Sequence, residues 1–293
     1  MTARLISTPD GVELALHRMR AYRDGRPAVL LVHGAFTNHR FWLHSEDGTG
    51  GMGGMGGMGG MGGMAHFLGA AGLDVWLADL RHHGESAREP RRGAWTFEDW
   101  VLNDTPTLVA RVREETDGAP LAWIGHSAGG AAGLCWLARV AAAAPLAAVV
   151  TLGTPGPRRL GPVRSALAAS TIALSRALGR FTARALRFGN EDEAAEIIAE
   201  WMEWNVRGAW LGMDGFDYFG GLAAVSIPYL GVGGTADRIF APPAACRQVV
   251  DRVGSRRKLL AVEPGLTHRG LVLSDRARQS CWPNVVAWLK ETL

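Results

Sequence analysis

Short, largely apolar runs recur along the chain, separated by segments of helical spacing. Ala28 to Val32 (AVLLV), between Pro27 and Gly34, has no polar residue to turn toward water, which predicts a strand buried on both faces of a parallel sheet. Comparable runs are Asp74 to Leu80, Leu121 to Ile124, Ala147 to Leu152, Ile227 to Val232 and Lys258 to Val262. Helical patterns over Phe97 to Arg113, Ala128 to Ala143, Pro242 to Val253 and Asp275 to Leu293 alternate with them. Ahead of the series, Met1 to Arg20 alternates apolar and polar residues around Pro9-Asp10-Gly11, the pattern of a hairpin. The expected fold class is α/β, a mostly parallel sheet with helices on both faces.

The rhythm breaks between Pro155 and Leu222, where helical patterns occur without a convincing strand. This predicts a core made of residues 1–155 and 222–293, with 156–221 as an inserted helical cap. Within it, Arg176, Arg180, Arg184 and Arg187 recur at helical spacing, and Glu193, Glu196, Glu200 and Glu203 repeat the pattern further on. Two amphipathic helices with charges facing water or each other are expected; a second reading is a basic, apolar face that makes weak contact with a membrane surface.

Residues 50–64 form a low-complexity Gly-Gly-Met loop within the core. Gly51 to Gly56 formally matches GxGxxG, but no strand precedes it and glycine this dense cannot open a helix, so the match is an accident of the repeat. Methionine thioethers suit soft metals, yet Gly-rich spacing organises none. No metal or cofactor is expected.

Hydrophobic residues make up 47% and charged residues 20%, as in an ordinary globular chain. The net charge of +3 comes from dispersed arginines, so nucleic acid is not an expected partner. Cys135, Cys246 and Cys281 are too few and too far apart for a disulfide framework or a zinc site, which suits a reducing cytoplasm. The N-terminus lacks the pattern of a signal peptide, and no apolar window is long enough for a membrane span.

Gly125-His126-Ser127-Ala128-Gly129 follows an apolar strand and opens an Ala-rich helix. A turn this tight exposes Ser127 at its tip, and its flanking glycines admit close backbone neighbours. The Ala128 N–H then lies at a helix N-terminus, which favours negative charge. His33-Gly34-Ala35-Phe36, after the first buried strand, supplies a second oxyanion donor, Ala35 or in its place Phe36. His33 itself is expected to hold the loop. Asp237 follows the strand ending at Val232 and precedes a helix, while His268 follows the last strand and is the only histidine C-terminal to Asp237. A carboxylate placed there can orient an imidazole and stabilise its protonated form.

Across nearly its whole length the chain resembles the α/β-hydrolase superfamily, whose nucleophile, acid and base follow one another as Ser127, Asp237 and His268 do. Asp74 to Ser86 resembles the superfamily's strand-and-loop block, although His82 stands where glycine is usual. With Phe97 to Trp100 and Asp104, the block is similar to the acid-lipase and lysophospholipase-like branch. The resemblance implies a serine esterase or lipase acting through an acyl-enzyme on a small-molecule or lipid-like ester. Thioesterase, lactonase, amidase and perhydrolase chemistry share the triad, and a non-catalytic binding member of the fold is the other class. Leu174, Leu178, Phe181, Trp201, Trp204 and Trp210 are available to line a cap pocket for a medium or long acyl chain. Oligomeric state is not readable.

Overall fold

The computed structural model describes residues 1–19, 25–45, 62–88, 95–143 and 145–293; the repeat through Met61 lies outside them. The hairpin forms from β1 (Thr2–Ser7) and β2 (Glu13–Arg18), paired antiparallel. There follow β3 (Ala28–Val32), α1 (Met64–Ala70), β4 (Asp74–Ala78), and α2 (Phe97–Asp99), which continues through a π turn at Trp100–Asp104 into α3 (Thr105–Glu115). Next come β5 (Leu121–His126), α4 (Ala128–Val140), β6 (Ala148–Leu152), α5 (Pro162–Leu178), the short pair β7 (Arg180–Phe181) and β8 (Glu193–Ala194), α6 (Ala195–Arg207) and α7 (Tyr218–Gly221). The chain ends with β9 (Tyr229–Gly234), α8 (Pro243–Arg252), β10 (Lys258–Glu263), α9 (Gly270–Leu273), α10 (Asp275–Gln279) and α11 (Cys281–Lys290).

Eight strands form one sheet in the order β1-β2-β4-β3-β5-β6-β9-β10. β2 runs antiparallel to β1 and β4, and the remaining pairs are parallel. The apolar runs are explained by a core on each side. Leu30 and Val32 pack with Trp123, Ala131 and Trp136, whereas Val29 and Leu31 pack with Ile124, Leu152 and Trp282. With no face left for water, alternation disappears from β3.

Several expected boundaries shift for identifiable reasons. Pro106 has no N–H for the ladder, and the helix widens to π spacing just before it. The expected helix over 275–293 is two helices, broken at Ser280. Met64, placed in the loop by the repeat pattern, instead opens α1 and is fully buried. α5 stops at Gly179, whose φ of 72° suits a left-handed helix cap, so Arg180, Arg184 and Arg187 do not continue the helical face of Arg176. No helix among the described residues is long and apolar enough to cross a membrane.

Candidate active site

The parallel strands deliver four loops to one edge of the sheet, where open α/β sheets place their crevice. Ser127, between β5 and α4, has φ 50° and ψ −119°, a left-handed backbone that costs a non-glycine residue on the order of 1–3 kcal/mol. Its surroundings hold it there. Its N–H donates to the Leu152 carbonyl at 2.9 Å, and its own carbonyl accepts from Thr154 Oγ1 at 2.9 Å and the Ala131 N–H at 3.1 Å. A Cβ on Gly129 would collide with the His33 carbonyl, and one on Gly125 with the Gly130 backbone, so both glycines are required by close approach.

Asp237 is buried, and its Oδ2 accepts from His268 Nδ1 at 2.6 Å. The Phe240 and Ala241 N–H groups donate to its two oxygens at 3.0 Å each. Burial pushes the carboxyl upward, but the His268 hydrogen bond and charge and these amides outweigh it, and the carboxyl is held below its ordinary value. With Nδ1 directed at the carboxylate, Nε2 is the ring nitrogen of His268 left for other partners. Beneath it, His126 lies 4.7 Å away ring to ring and its Nε2–H donates to the His268 carbonyl at 3.1 Å. Burial, then the neighbouring His268, drive the His126 pKa far down, so it stays neutral. Gly153, which follows β6, brings its backbone against the His268 ring. No hydrogen bond joins Ser127 Oγ to His268 among the described residues; contacts of this kind often tighten only with substrate bound.

The loop with Ala35 and Phe36 is fixed from two sides. His33 Nδ1–H donates to the Gly34 carbonyl at 2.8 Å and its Nε2 accepts from the Leu80 N–H at 3.1 Å. Burial and the adjacent His83 lower its pKa to about 4, so it is a neutral brace. The other side comes from β8 and the residues before it. Glu193 is fully buried, 3.1 Å from His83 Nε2, and it accepts the Phe36 N–H at 3.4 Å. Glu191 accepts from Asn38 Nδ2 at 2.6 Å and the Gly84 N–H at 3.1 Å, while its own N–H donates to the Phe36 carbonyl at 3.0 Å. Phe36 has φ 68°. His82, where glycine is usual, has φ 74° and meets the backbone demand that favours glycine there.

A cavity of about 110 Å³ opens beside Ser127. Ala35, Phe36 and Ala128 line it with Phe97, Trp100, Ile197, Ile198, Trp201, Met202 and Phe240. Of the six residues expected to line a cap pocket, Trp201 does so. Trp204 and Trp210 are packed in the core near Tyr218, Leu174 and Leu178 face solvent, and Phe181 stacks on Phe188 and meets Phe36 at a tilt.

A second buried polar cluster supports the site without lining it. Asp79 accepts from the His39 N–H and His39 Nδ1 at 2.7 Å each, from the Glu85 N–H at 2.9 Å, and lies 3.3 Å from His17 Nε2. These groups tie β2 and β4 to the loops that follow β3 and β4. Sequence reasoning missed His126, whose place inside GxSxG carries no signal of its own. It also missed Glu193, which spacing assigned to a solvated helix face although it belongs to β8.

Comparison with known proteins follows the geometry. The family model for the alpha/beta hydrolase family matches residues 29–279. Mouse lipase member N is 28% identical over 138 residues, 42% of this chain and 31% of that lipase, so the match covers less than a third of the relative's length. The structure of a thermophilic esterase from Thermogutta terrifontis superposes with a TM-score of 0.62 at 18% identity, covering 100% of this chain and 99% of that one. A monoacylglycerol lipase from Paleococcus ferrophilus gives 0.64 at 18%, covering 95% and 99%. Identities this low speak to the fold, whereas the family match runs through the strands that carry Ser127, Asp237 and His268. The chain belongs to the α/β hydrolase family.

Proposed function

We propose that this protein is a serine-dependent hydrolase of carboxylic esters with apolar acyl groups, working through an acyl-enzyme. His268 Nε2 takes the Ser127 proton, Ser127 Oγ attacks the ester carbonyl, and the alkoxide leaves with that proton. Water, activated by the same imidazole, then releases the acid and restores Ser127. Asp237 keeps the base in the right tautomer and stabilises its charged form. The oxyanion falls to the amides of Ala128 and Ala35, each such donor supplying about 3 kcal/mol of transition-state stabilisation. Ala35 is preferred over Phe36 because the Phe36 N–H is directed at Glu193.

The observation that carries this reading is the 2.6 Å Asp237–His268 hydrogen bond at the same strand ends as a strained Ser127 beside an apolar cavity. The esterase and lipase names of the relatives favour an ester over a thioester, lactone or amide. In this reading residues 156–221 cap a core of 1–155 and 222–293, the substrate is a small-molecule ester, and the three free, buried thiols suit the cytoplasm. The test is a panel of p-nitrophenyl esters assayed with wild type and Ser127→Ala side by side. Turnover in wild type that vanishes in the variant supports the proposal; equal turnover in both overturns it.

A further inference from the structure

α5 is amphipathic in the reverse sense: its interior-facing side is small or polar and its water-facing side is greasy. Ala168 and Ser175 are its buried residues. Val163, Leu167, Leu174 and Leu178, spaced at i, i+4, i+11 and i+15, fall on one stripe and are 84%, 68%, 61% and 49% exposed. The exposed apolar surface continues with Leu186 and Phe188 in the β7–β8 connection and with Ile239 and Phe240. Phe188 packs edge-on to Phe240, which lies 5.0 Å from the His268 ring, so this surface leads to the mouth of the cavity. Apolar exposure of this extent marks an interaction surface.

Charge identifies the partner. Residues 156–190 contain seven arginines, 158, 159, 164, 176, 180, 184 and 187, and no aspartate or glutamate. Arg176 pairs with Glu196 at 2.7 Å and Arg180 approaches Asp192 at 3.8 Å, both partners lying beyond the segment. Arg164, Arg184 and Arg187 are exposed. Two copies of such a surface would repel each other. A helix with Leu and Val on one stripe, Arg164 at its border and the exposed Arg184 and Arg187 in the connection that follows fits an anionic lipid surface, where the aliphatic groups enter the acyl boundary and the guanidinium groups meet phosphate. We propose that α5 and the β7–β8 connection dock this protein onto anionic membranes with the cavity mouth turned toward the lipid.

The experiment is flotation with phosphatidylcholine vesicles, with and without phosphatidylglycerol, at low and high salt. Wild type is expected to float with the anionic vesicles, less at high salt. The double variant Leu167→Asp, Leu174→Asp loses partitioning on the order of tenfold or more. Arg164→Glu with Arg184→Glu loses about fivefold per arginine. These side chains are exposed, so thermal melting and hydrolysis of soluble p-nitrophenyl acetate are expected to stay unchanged. That control separates a failure of docking from a failure of the hydrolase proposal, since flotation needs no turnover. Wild type that does not float, an aspartate variant that floats as well as wild type, or a concentration-dependent dimer that the aspartates dissolve in place of vesicle binding overturns the proposal.

Discussion

The strand ends and the segment between β6 and β9 use the same residue types in opposite ways. At the strand ends, polarity follows the backbone: a strained serine, a hydrogen-bonded aspartate and its partner imidazole are presented where parallel strands stop. Between β6 and β9, Glu191 and Glu193 are buried while the leucines of one α5 stripe face outward. Glu191 and Glu193 brace the Ala35–Phe36 loop from below, and Leu167 and Leu174 stand in solvent. In the first region each group is set by its own local strand-to-loop turn, even where the groups meet across the sequence, as His126 and His268 do 142 residues apart; in the second, what a side chain does is decided by its distant partner, such as His83 for Glu193, 110 residues apart. Removing side chains from each region should therefore fail in different currencies, activity in one and stability or selectivity in the other.

The largest expected effect is at the strand ends. Ser127→Ala should lower kcat for p-nitrophenyl butyrate by about 10⁴- to 10⁶-fold and abolish labelling by a fluorophosphonate probe, with melting little changed. Persistent labelling on another serine would refute the assignment. Asp237→Asn should follow, with kcat lower by about 10⁴-fold, because the amide offers His268 Nδ1 a donor as readily as an acceptor and the wrong tautomer is populated. A single-turnover assay separates this from a binding defect; a loss of less than tenfold would mean that Asp237 only structures its turn.

In the braced loop, stability should respond first. Burial lowers the His83 pKa, but the Glu193 charge and hydrogen bond outweigh it and leave it raised above its ordinary 6.5. Replacing Glu193 by Gln removes the charge that favours protonated His83, so the variant is expected to lose stability wherever His83 carries its proton. The sign follows from linkage. A raised folded-state pKa contributes stability that is complete below the unfolded value near 6.5 and is lost as pH rises through the folded value. The gap in melting temperature between wild type and Glu193→Gln should thus be widest at mildly acidic pH and narrow toward alkaline pH. A gap independent of pH would show that the pair is neutral.

The same contrast governs how much could be read from the sequence. The sheet, the hairpin and the positions of Ser127, Asp237, His268 and Ala35 were legible because each depends on a local pattern: apolar runs without alternation, turn glycines, and a strand followed at once by a helix. The helices between β6 and β9 were legible as helices but not in orientation. Helical spacing places Leu174 and Arg176 on different sides of α5 without saying which side meets the core, and Gly179 ends the helix before the arginine pattern does. Ala168 and Ser175, the buried residues of α5, mark the side that meets the core. The lining of the cavity was illegible for a related reason. Ile197, Ile198, Trp201 and Met202 reach it from α6, but Trp204, one turn along from Trp201, is in the core.

That lining sets the smallest effect and the sharpest question about the cap. At about 110 Å³ the cavity is well below the roughly 300–1,000 Å³ of sites that enclose larger ligands, so acyl groups of a few carbons should be preferred. Each added methylene helps by about 0.8 kcal/mol while it finds apolar wall and hinders once it meets Trp201. The optimum on the p-nitrophenyl series is therefore expected near butyrate, with octanoate poorer, in place of the medium or long preference that the sequence suggested. Trp201 lines the cavity and also packs 5.4 Å from Phe97, ring to ring, so Trp201→Ala deepens the cavity toward the cap while leaving the strand ends intact. If about two more methylenes become buried, the octanoate-to-butyrate ratio of kcat/KM should rise about tenfold, with acetate turnover nearly unchanged. A ratio unmoved by the substitution would mean that the acyl chain leaves by another side of the cavity. An octanoate optimum already in wild type would mean that α6 moves aside when substrate binds, and the cap would then be the more mobile of the two regions.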